Sequence, residues 1–178
     1  MQKPKALFMT CADSRIDPEL ITGSGPGEIF VERNPGNFVP MYDNRARVGV
    51  TASIEYAVAL LQVDHIVICG HSDCGAMKGL LKPELVAGAS AVARWLSWGE
   101  GALLKVHRDY GHLSKEEQLQ RLTELSILEQ MEHLHSHPSV EKRWKEGTLG
   151  IHGWVYEIHT GRIDAYTPQT GRFEKWPE

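Results

Sequence analysis

The sequence has few cysteines, no long apolar run and no excess of positive charge, and each shortage excludes a class of protein. Its three cysteines cannot all pair, and a chain of 178 residues does not need disulfides to stabilise a core. The longest apolar runs, such as 57–61 and 66–69, are far too short to cross a membrane. The net charge is −4 and there is no stripe of Lys and Arg, so we expect neither a nucleic-acid nor a membrane partner.

The start of the chain also lacks an export signal, because no positively charged segment followed by an apolar stretch opens it. A reducing cytoplasm is therefore the expected compartment, and unpaired thiols suit it. Hydrophobic residues make up 42% and charged residues 24%, which is typical of a globular protein. Since the sequence contains no repeat, linker or low-complexity tract, we predict a single domain over residues 1–178.

Short apolar runs alternate with helical stretches in the first half of the chain. The runs show no polar alternation, which is typical of strands buried on both faces of a parallel sheet. Cys69 lies in the third run, where we expect it to be a small buried hydrophobe. The predicted strands are 6–10, 28–31 and 65–69, and the predicted helices are 17–21 and 45–61, the second with apolar residues at Val48, Ala52, Tyr56 and Leu60.

The second half of the chain adds a long helix and a hairpin. Ser114 and Glu117 form a capping box that begins the helix, and Pro138 closes it. Residues 149–156 and 163–166 predict two antiparallel strands. The predicted fold class is therefore α/β, with a central, mainly parallel β-sheet flanked by helices and a C-terminal antiparallel hairpin.

Three histidines, His133, His135 and His137, alternate near the end of the long helix. Positions two apart on a helix point in different directions, so the three are poorly placed to share a metal ion. We expect them to be solvated side chains at the end of the helix.

Three potential metal ligands follow the ends of predicted strands. Cys11 follows the first strand and His71 the third, and Cys74 lies three residues further, in a turn bounded by Gly70 and Gly75. Because the carboxyl ends of parallel strands meet at one edge of the sheet, we expect Cys11 and His71 to approach each other. Two sulfurs and one imidazole suit zinc, and three protein ligands leave one tetrahedral position open, as in catalytic sites. We predict one zinc ion per chain.

Asp13 and Arg15 lie two residues apart in the loop that follows Cys11. The planar Arg side chain can hold a carboxylate in a fixed orientation and favours its ionised form. A carboxylate held in this way can accept a hydrogen bond from zinc-bound hydroxide and orient it toward a substrate. Elsewhere such a pair would be an ordinary surface ion pair of little energetic value. Beside a metal ligand it predicts catalysis.

Four segments resemble the β-class carbonic anhydrases over nearly the whole chain: CADSR at 11–15, RNPGN at 33–37, SIEYA at 53–57 and GHSDCG at 70–75. The resemblance implies a zinc enzyme that hydrates CO2 reversibly to bicarbonate and a proton, with zinc-bound hydroxide as the nucleophile. By the same resemblance, the zinc ligands are Cys11, His71 and Cys74, and the catalytic dyad is Asp13 with Arg15.

The family's substrate pocket can also be matched residue by residue. Gln2 matches a glutamine that donates a hydrogen bond to a substrate oxygen, and Phe30 and Tyr56 match the aromatic walls. The backbone N–H of Gly75 matches a further contact near the substrate. An apolar substrate such as CO2 needs a dry wall and one or two donors for the developing charge. Since the family builds this pocket across a subunit interface, the resemblance implies a homodimer or a higher even oligomer.

Three features distinguish this chain within the family. One group of members has a bicarbonate-triggered inactive state that uses a Trp three residues before the first Cys ligand. Here that position is Phe8, although Arg33 and Tyr156 are present as in that group. With Gln2 also in place, the resemblance is to the open-site, non-allosteric group. Pro35 stands where relatives commonly carry an aliphatic pocket residue. The family's N-terminal helical arm is absent ahead of Gln2.

Other functions fit the same residues. A hydrolase of carbonyl sulfide or carbon disulfide on the same scaffold would share the ligands and the dyad and would differ in pocket shape. A non-catalytic zinc-bound assembly protein would need neither Asp13 nor Arg15. A thiol redox protein would need a Cys-x-x-Cys pair, and His71 occupies the first position of that spacing.

Overall fold

The computed structural model describes residues 2–45 and 48–176, and a six-stranded sheet lies at its centre. The first four strands in the chain pair in parallel, and the last two are antiparallel additions at one edge. This arrangement confirms the predicted α/β fold with its antiparallel C-terminal strands. The strands are β1 (Ala6–Cys11), β2 (Ile29–Asn34), β3 (His65–His71), β4 (Gly150–Tyr156), β5 (Ile163–Thr167) and β6 (Arg172–Lys175), in the spatial order β2-β1-β3-β4-β5-β6.

Helices connect the parallel strands and cover the sheet. They are α1 (Pro18–Thr22), α2 (Gly49–Glu55), α3 (Gly75–Leu81), α4 (Ser90–Leu96), α5 (Glu100–Tyr110), α6 (Lys115–Leu134) and α7 (Pro138–Lys145). A π-helical turn (Tyr56–Leu60) continues α2, and two 3₁₀ turns (Pro83–Val86 and Ser97–Gly99) flank α4. Among the described helices, none combines the length and the apolar character that a bilayer span requires.

The apolar runs of β1 and β3 lie between other strands and are covered on both faces of the sheet. Alternate side chains of β1 and β3 enter the main core under α2, α6 and α7, whereas the others form a smaller cluster with Trp154. Cys69 belongs to the smaller cluster and is fully buried, as expected, and burial raises the pKa of its thiol to about 12.

The helix predicted over 45–61 differs from the observed one in start and in orientation. Of its first residues, Ala46 and Arg47 lie outside the described residues, and α2 begins at Gly49. The four-residue apolar repeat is mostly exposed, because the buried residues follow their own helical spacing of three and four on the neighbouring face. The buried residues of this stretch are Val50, Thr51, Ile54, Ala57 and Val58, and Tyr56 and Leu60 are 44% and 69% exposed.

The interpretation of the three histidines as a solvated helix end was wrong. The helix α6 ends at Leu134, and Pro138 begins α7 instead of closing α6, as proline in a first helical turn can do. His137 is 1% exposed and donates from Nε2 to the carbonyl of Pro40 at 3.0 Å, and His133 donates from Nδ1 to the carbonyl of Val39 at 2.8 Å. These side chains therefore anchor the segment that follows β2.

The sheet also has a strand that the sequence pattern did not predict. The predicted hairpin of β4 and β5 is present, and a turn at Gly171, with φ at 67°, leads into β6. Only one of the four residues in β6, Phe173, is a large apolar residue, so the sequence has no apolar run that predicts this strand.

Close packing of α6 against the end of β3 requires a residue without a side chain at position 70. A Cβ on Gly70 would lie 2.9 Å from Cδ1 of Ile127 and 3.2 Å from Cγ2 of Thr123, both on α6. We therefore expect Gly70→Ala to destabilise the protein by about 1–3 kcal/mol through overpacking. Urea unfolding measures the change. Gly49→Ala is the matched control, because a Cβ at Gly49 meets open space; equal stabilities of the two variants would contradict the packing argument.

Candidate metal centre

Cys11, His71 and Cys74 converge at the carboxyl edge of the parallel strands. Their ligand atoms all lie within 4.8 Å of one another, and their side chains are 5%, 0% and 1% exposed. Cys11 ends β1 and His71 ends β3, whereas Cys74 immediately precedes α3. The parallel register, in which Thr10 pairs with Cys69, makes the two strands end side by side. The convergence expected from the strand ends is present.

The imidazole of His71 is oriented as a metal ligand would be. Its Nδ1 donates to the carbonyl of Ser72 at 2.8 Å, which leaves the lone pair on Nε2. The buried Nε2 has no hydrogen-bond partner among residues 2–45 and 48–176. An unpaired buried nitrogen is costly, and a cation among the three ligands would satisfy it.

The two sulfurs lie within hydrogen-bond distance of each other. Cys11 Sγ and Cys74 Sγ are 4.0 Å apart, close to the separation of about 3.8 Å between two sulfurs on a tetrahedral zinc. The hydrogen bond from the Cys74 thiol lowers the pKa of Cys11 well below its ordinary value, although burial opposes the shift. The hydrogen bond to Cys11 and burial raise the pKa of Cys74. The lowered pKa of Cys11 favours the thiolate form, and two sulfurs with an imidazole nitrogen suit a soft or borderline cation.

The turn after β2 folds over Cys11 and supplies a further donor to it. The N–H of Gly36 donates to Cys11 Sγ at 3.3 Å. Gly36 has φ at 84°, and a Cβ there would lie 2.6 Å from Cε2 of Phe38 and 2.9 Å from Cβ of Ala76. Only glycine satisfies both the left-handed backbone and the close approach. The side chain of Asn34 closes the same turn through hydrogen bonds with the backbone of Phe38.

Asp13 and Arg15 form a two-pronged ion pair beside the three ligands. Arg15 donates from Nε to Asp13 Oδ1 at 2.9 Å and from Nη2 to Oδ2 at 2.8 Å. These hydrogen bonds hold the pKa of the Asp13 carboxyl well below its usual range. Asp13 Oδ2 is 3.9 Å from His71 Nε2, so an ionised carboxylate lies at the margin of the cluster without belonging to it.

Two contacts of this site were missed by the sequence reasoning. Arg15 also donates from Nη1 to Asp73 Oδ2 at 2.9 Å, and Asp73 is in turn paired with Lys78. The hydrogen bond from Lys78, and to a smaller extent that from Arg15, lowers the pKa of Asp73 to about 2. Arg33 donates to the backbone carbonyls of Cys11 and Asp13 at 3.2 and 2.8 Å. The sequence did contain one signal for Asp73, because an acidic residue lies there between the expected ligands His71 and Cys74.

Only one of the four expected substrate residues lies at the cluster within this chain. Gly75 begins α3 directly after Cys74, and a Cβ on it would meet open space. The ring centroids of Phe30 and Tyr56 are 5.9 Å apart, in a stacked arrangement. Asn34 is the strand partner of Cys11, and Phe30 lies four residues before it, which places Phe30 about 13 Å from the level of Cys11 along β2. Gln2 is exposed and lies before β1, beyond the end opposite to Cys11.

Known proteins resemble this chain along most of its length. The family model described as carbonic anhydrase matches residues 6–163. The carbonic anhydrase of Pseudomonas aeruginosa is 46% identical over 172 residues, which are 97% of this chain and 77% of that protein. The carbonic anhydrase of Synechococcus elongatus is 45% identical over 91% of this chain, but the chain spans only 60% of that relative.

Solved structures show the same fold. The β-carbonic anhydrase CcaA has a TM-score of 0.94 at 40% identity, and the match covers 99% of this chain and 85% of CcaA. One of two tetrameric β-carbonic anhydrases from the ascomycete Sordaria macrospora has a TM-score of 0.84 at 32% identity, covering 93% of this chain and 81% of that one.

The opposite pKa shifts of the two sulfurs predict the proton balance of metal binding. Because the pKa of Cys11 is lowered and that of Cys74 is raised, we expect the two sulfurs to carry about one proton between them before zinc binds at neutral pH. We expect zinc binding at pH 7 to release about one proton per ion. Calorimetric titration in buffers of different ionisation enthalpy gives this number. A release of two protons would show that both cysteines begin as thiols.

Proposed function

The chain belongs to the β-class carbonic anhydrase family, whose members are lyases, and from this membership we propose that it catalyses the reversible, zinc-dependent hydration of CO2 to bicarbonate and a proton. The observation that carries the proposal is the buried Cys11–His71–Cys74 cluster with an ionised Asp13 at its margin. Three ligands of this kind hold a metal and leave a coordination position for reaction.

Zinc would be held by the two sulfurs and by His71 Nε2, one ion per chain. When bound, it would lower the pKa of a coordinated water only to between roughly 7 and the 9 of free aqueous zinc, because the negative charges of the two thiolates weaken its effect. The hydrogen bond from Gly36 to Cys11 and that from His71 to Ser72 fix the two ligands in place. Outer contacts of this kind orient metal ligands and affect metal affinity.

Asp13 would orient the reacting water. Its pKa is held well below neutrality, chiefly by its hydrogen bonds with Arg15, so it accepts hydrogen bonds and donates none. Arg15 also holds the carboxylate through two hydrogen bonds, so that Asp13 stays beside the cluster and would leave a coordination position of a bound metal open. Phe8 is 1% exposed in the core, at the position of the Trp used by the bicarbonate-sensitive group. These features support the open-site, non-allosteric type.

The substrate pocket would be completed by a second copy of the chain. Gly75 lies at the cluster, whereas Gln2, Phe30 and Tyr56 lie too far along the sheet to reach the cluster of their own chain. Tyr56 is 44% exposed and its neighbour Leu60 is 69% exposed, and such apolar surface favours a protein contact. A partner that covers it would bring the aromatic pair to the opposite site. We therefore propose a homodimer or a higher even oligomer.

Two further properties belong to the proposal. The cytoplasm is the proposed compartment, and it is supported by three cysteines that are all free and buried. A purely structural zinc site is disfavoured because it would have no use for the charge pair of Asp13 and Arg15. Hydrolysis of carbonyl sulfide remains the competing activity, since Pro35 is exposed beside the cluster and could change the pocket.

Zinc content and stopped-flow CO2 hydration test the proposed activity together. We expect one zinc ion per chain, and we expect Asp13→Asn to retain zinc but to lose at least about 100-fold in kcat, because its amide cannot replace the ionised acceptor. Carbonyl sulfide hydrolysis is measured in parallel. Zinc without CO2 hydration would refute the proposal, and slow CO2 with fast carbonyl sulfide would favour the sulfur substrate.

Asp73 is expected to act as a positioning residue through Arg15. Asp73→Asn removes the second carboxylate and keeps the left-handed backbone, with φ at 59°, that Asn tolerates. We expect kcat to fall about threefold to tenfold, the value of one charge-assisted hydrogen bond at an exposed site. The pH midpoint of kcat/KM should not move, because the metal ligands are untouched. Asp109→Asn, which breaks an exposed pair with Arg108, is the matched control; equal activity of the two variants would exclude the role.

A further inference from the structure

Two histidines meet at the opposite edge of the sheet from the cysteine cluster. His65 begins β3 and His152 lies near the start of β4, and both side chains are exposed. In the parallel register His65 pairs with Gly150 and Val67 pairs with His152, so the two imidazoles lie diagonally across neighbouring strands. Six residues separate His65 from His71, or about 20 Å along the strand, so the pair stands apart from the proposed catalytic site.

The two imidazoles converge over a residue that has no side chain. His152 Nε2 and His65 Nδ1 are 3.2 Å apart, and their ring centroids are 5.2 Å apart. A Cβ on Gly150 would lie 2.8 Å from His65 Nδ1 and 2.9 Å from His152 Nε2. Both ring nitrogens therefore occupy the space that any other residue at position 150 would fill with its own side chain.

We infer that His65 and His152 form a second metal site, which binds a borderline divalent cation, Cu2+ most tightly. Two nitrogens at about 2.0–2.1 Å from a metal are about 3.3 Å apart in a tetrahedron and about 2.9 Å apart in a square plane. The observed 3.2 Å lies between these values, so small ring rotations bring both lone pairs onto one ion. Imidazole suits Zn, Cu and Ni, and Cu2+ heads the affinity series.

The surroundings of His152 favour its neutral ligand form. Its ring is exposed to solvent on one side only, and partial desolvation by the sheet, and secondarily the neighbouring His65, lower the pKa of His152. A metal ion therefore competes with few protons at this imidazole at neutral pH. Exposure of both rings lets water complete the coordination, so the site is open and exchangeable, unlike the buried cysteine cluster. In the absence of a metal, the same nitrogens share one hydrogen bond.

Copper titration of the zinc-loaded protein tests the site. We expect one Cu2+ per chain beyond zinc, with an electron paramagnetic resonance spectrum that shows nitrogen ligands and with no zinc released. His65→Gln and His152→Gln should each weaken binding at least tenfold. Gly150→Ala should do the same while both imidazoles are retained, because its methyl group fills the space between them. His159→Gln, at another exposed histidine, should leave binding unchanged.

Three outcomes would overturn the inference. Copper that binds only as zinc is released would place it in the cysteine cluster. Unchanged binding in both His→Gln variants would place it elsewhere on the surface. Weakening by the His variants but not by Gly150→Ala, with the melting temperature of Gly150→Ala unchanged, would show that the two rings do not share one ion. If Gly150→Ala does not fold, the double variant His65→Gln/His152→Gln replaces it, and a loss of binding free energy equal to the sum of the two single losses would overturn the inference, because ligands of one ion are coupled.

Discussion

Parallel pairing of β1 with β3 is the constraint on which the metal centre depends. The two strands are parallel, with Thr10 paired to Cys69, so both end at the same edge of the sheet. The loop after β1 carries Asp13 and Arg15, and the loop after β3 carries Asp73 and Cys74. A hairpin could not produce this arrangement, because antiparallel strands end at opposite edges. Ligands and dyad thus come from the ends of two strands and from the loops that follow them, which the sheet holds side by side.

Charge then connects the two loops. Lys78, Asp73, Arg15 and Asp13 alternate in sign and contact one another in that order. Single exposed ion pairs contribute little to stability, but a chain of them fixes the orientation of its last member. That member is Asp13, whose Oδ2 is 3.9 Å from the imidazole of His71. The network therefore serves geometry at the metal centre more than it serves the folded state.

The elements that could be predicted from the sequence are those specified by local composition. β1 and β3 are continuous apolar runs, and the ligand types and their spacing are visible in the chain. Asp73 could not be assigned a role, because its contact with Arg15 spans 58 residues of sequence. The buried face of 49–60 was misplaced because two sets of apolar residues follow a helical spacing there, and packing in the main core selects Val50, Ile54, Ala57 and Val58. His137 is polar, and its burial depends on a carbonyl 97 residues away.

Strand β3 has a histidine at each end, and their surroundings give these two histidines opposite properties. His71 is 0% exposed and lies beside two sulfurs, and its Nε2 has no hydrogen-bond partner among the described residues, which is costly for a buried nitrogen. His65 faces one other imidazole in solvent, and a hydrogen bond links the two rings. On the proposals above, the buried site would retain its ion, whereas the exposed pair would exchange one readily. Burial, more than ligand count, would then separate a resident metal from an exchangeable one in this sheet.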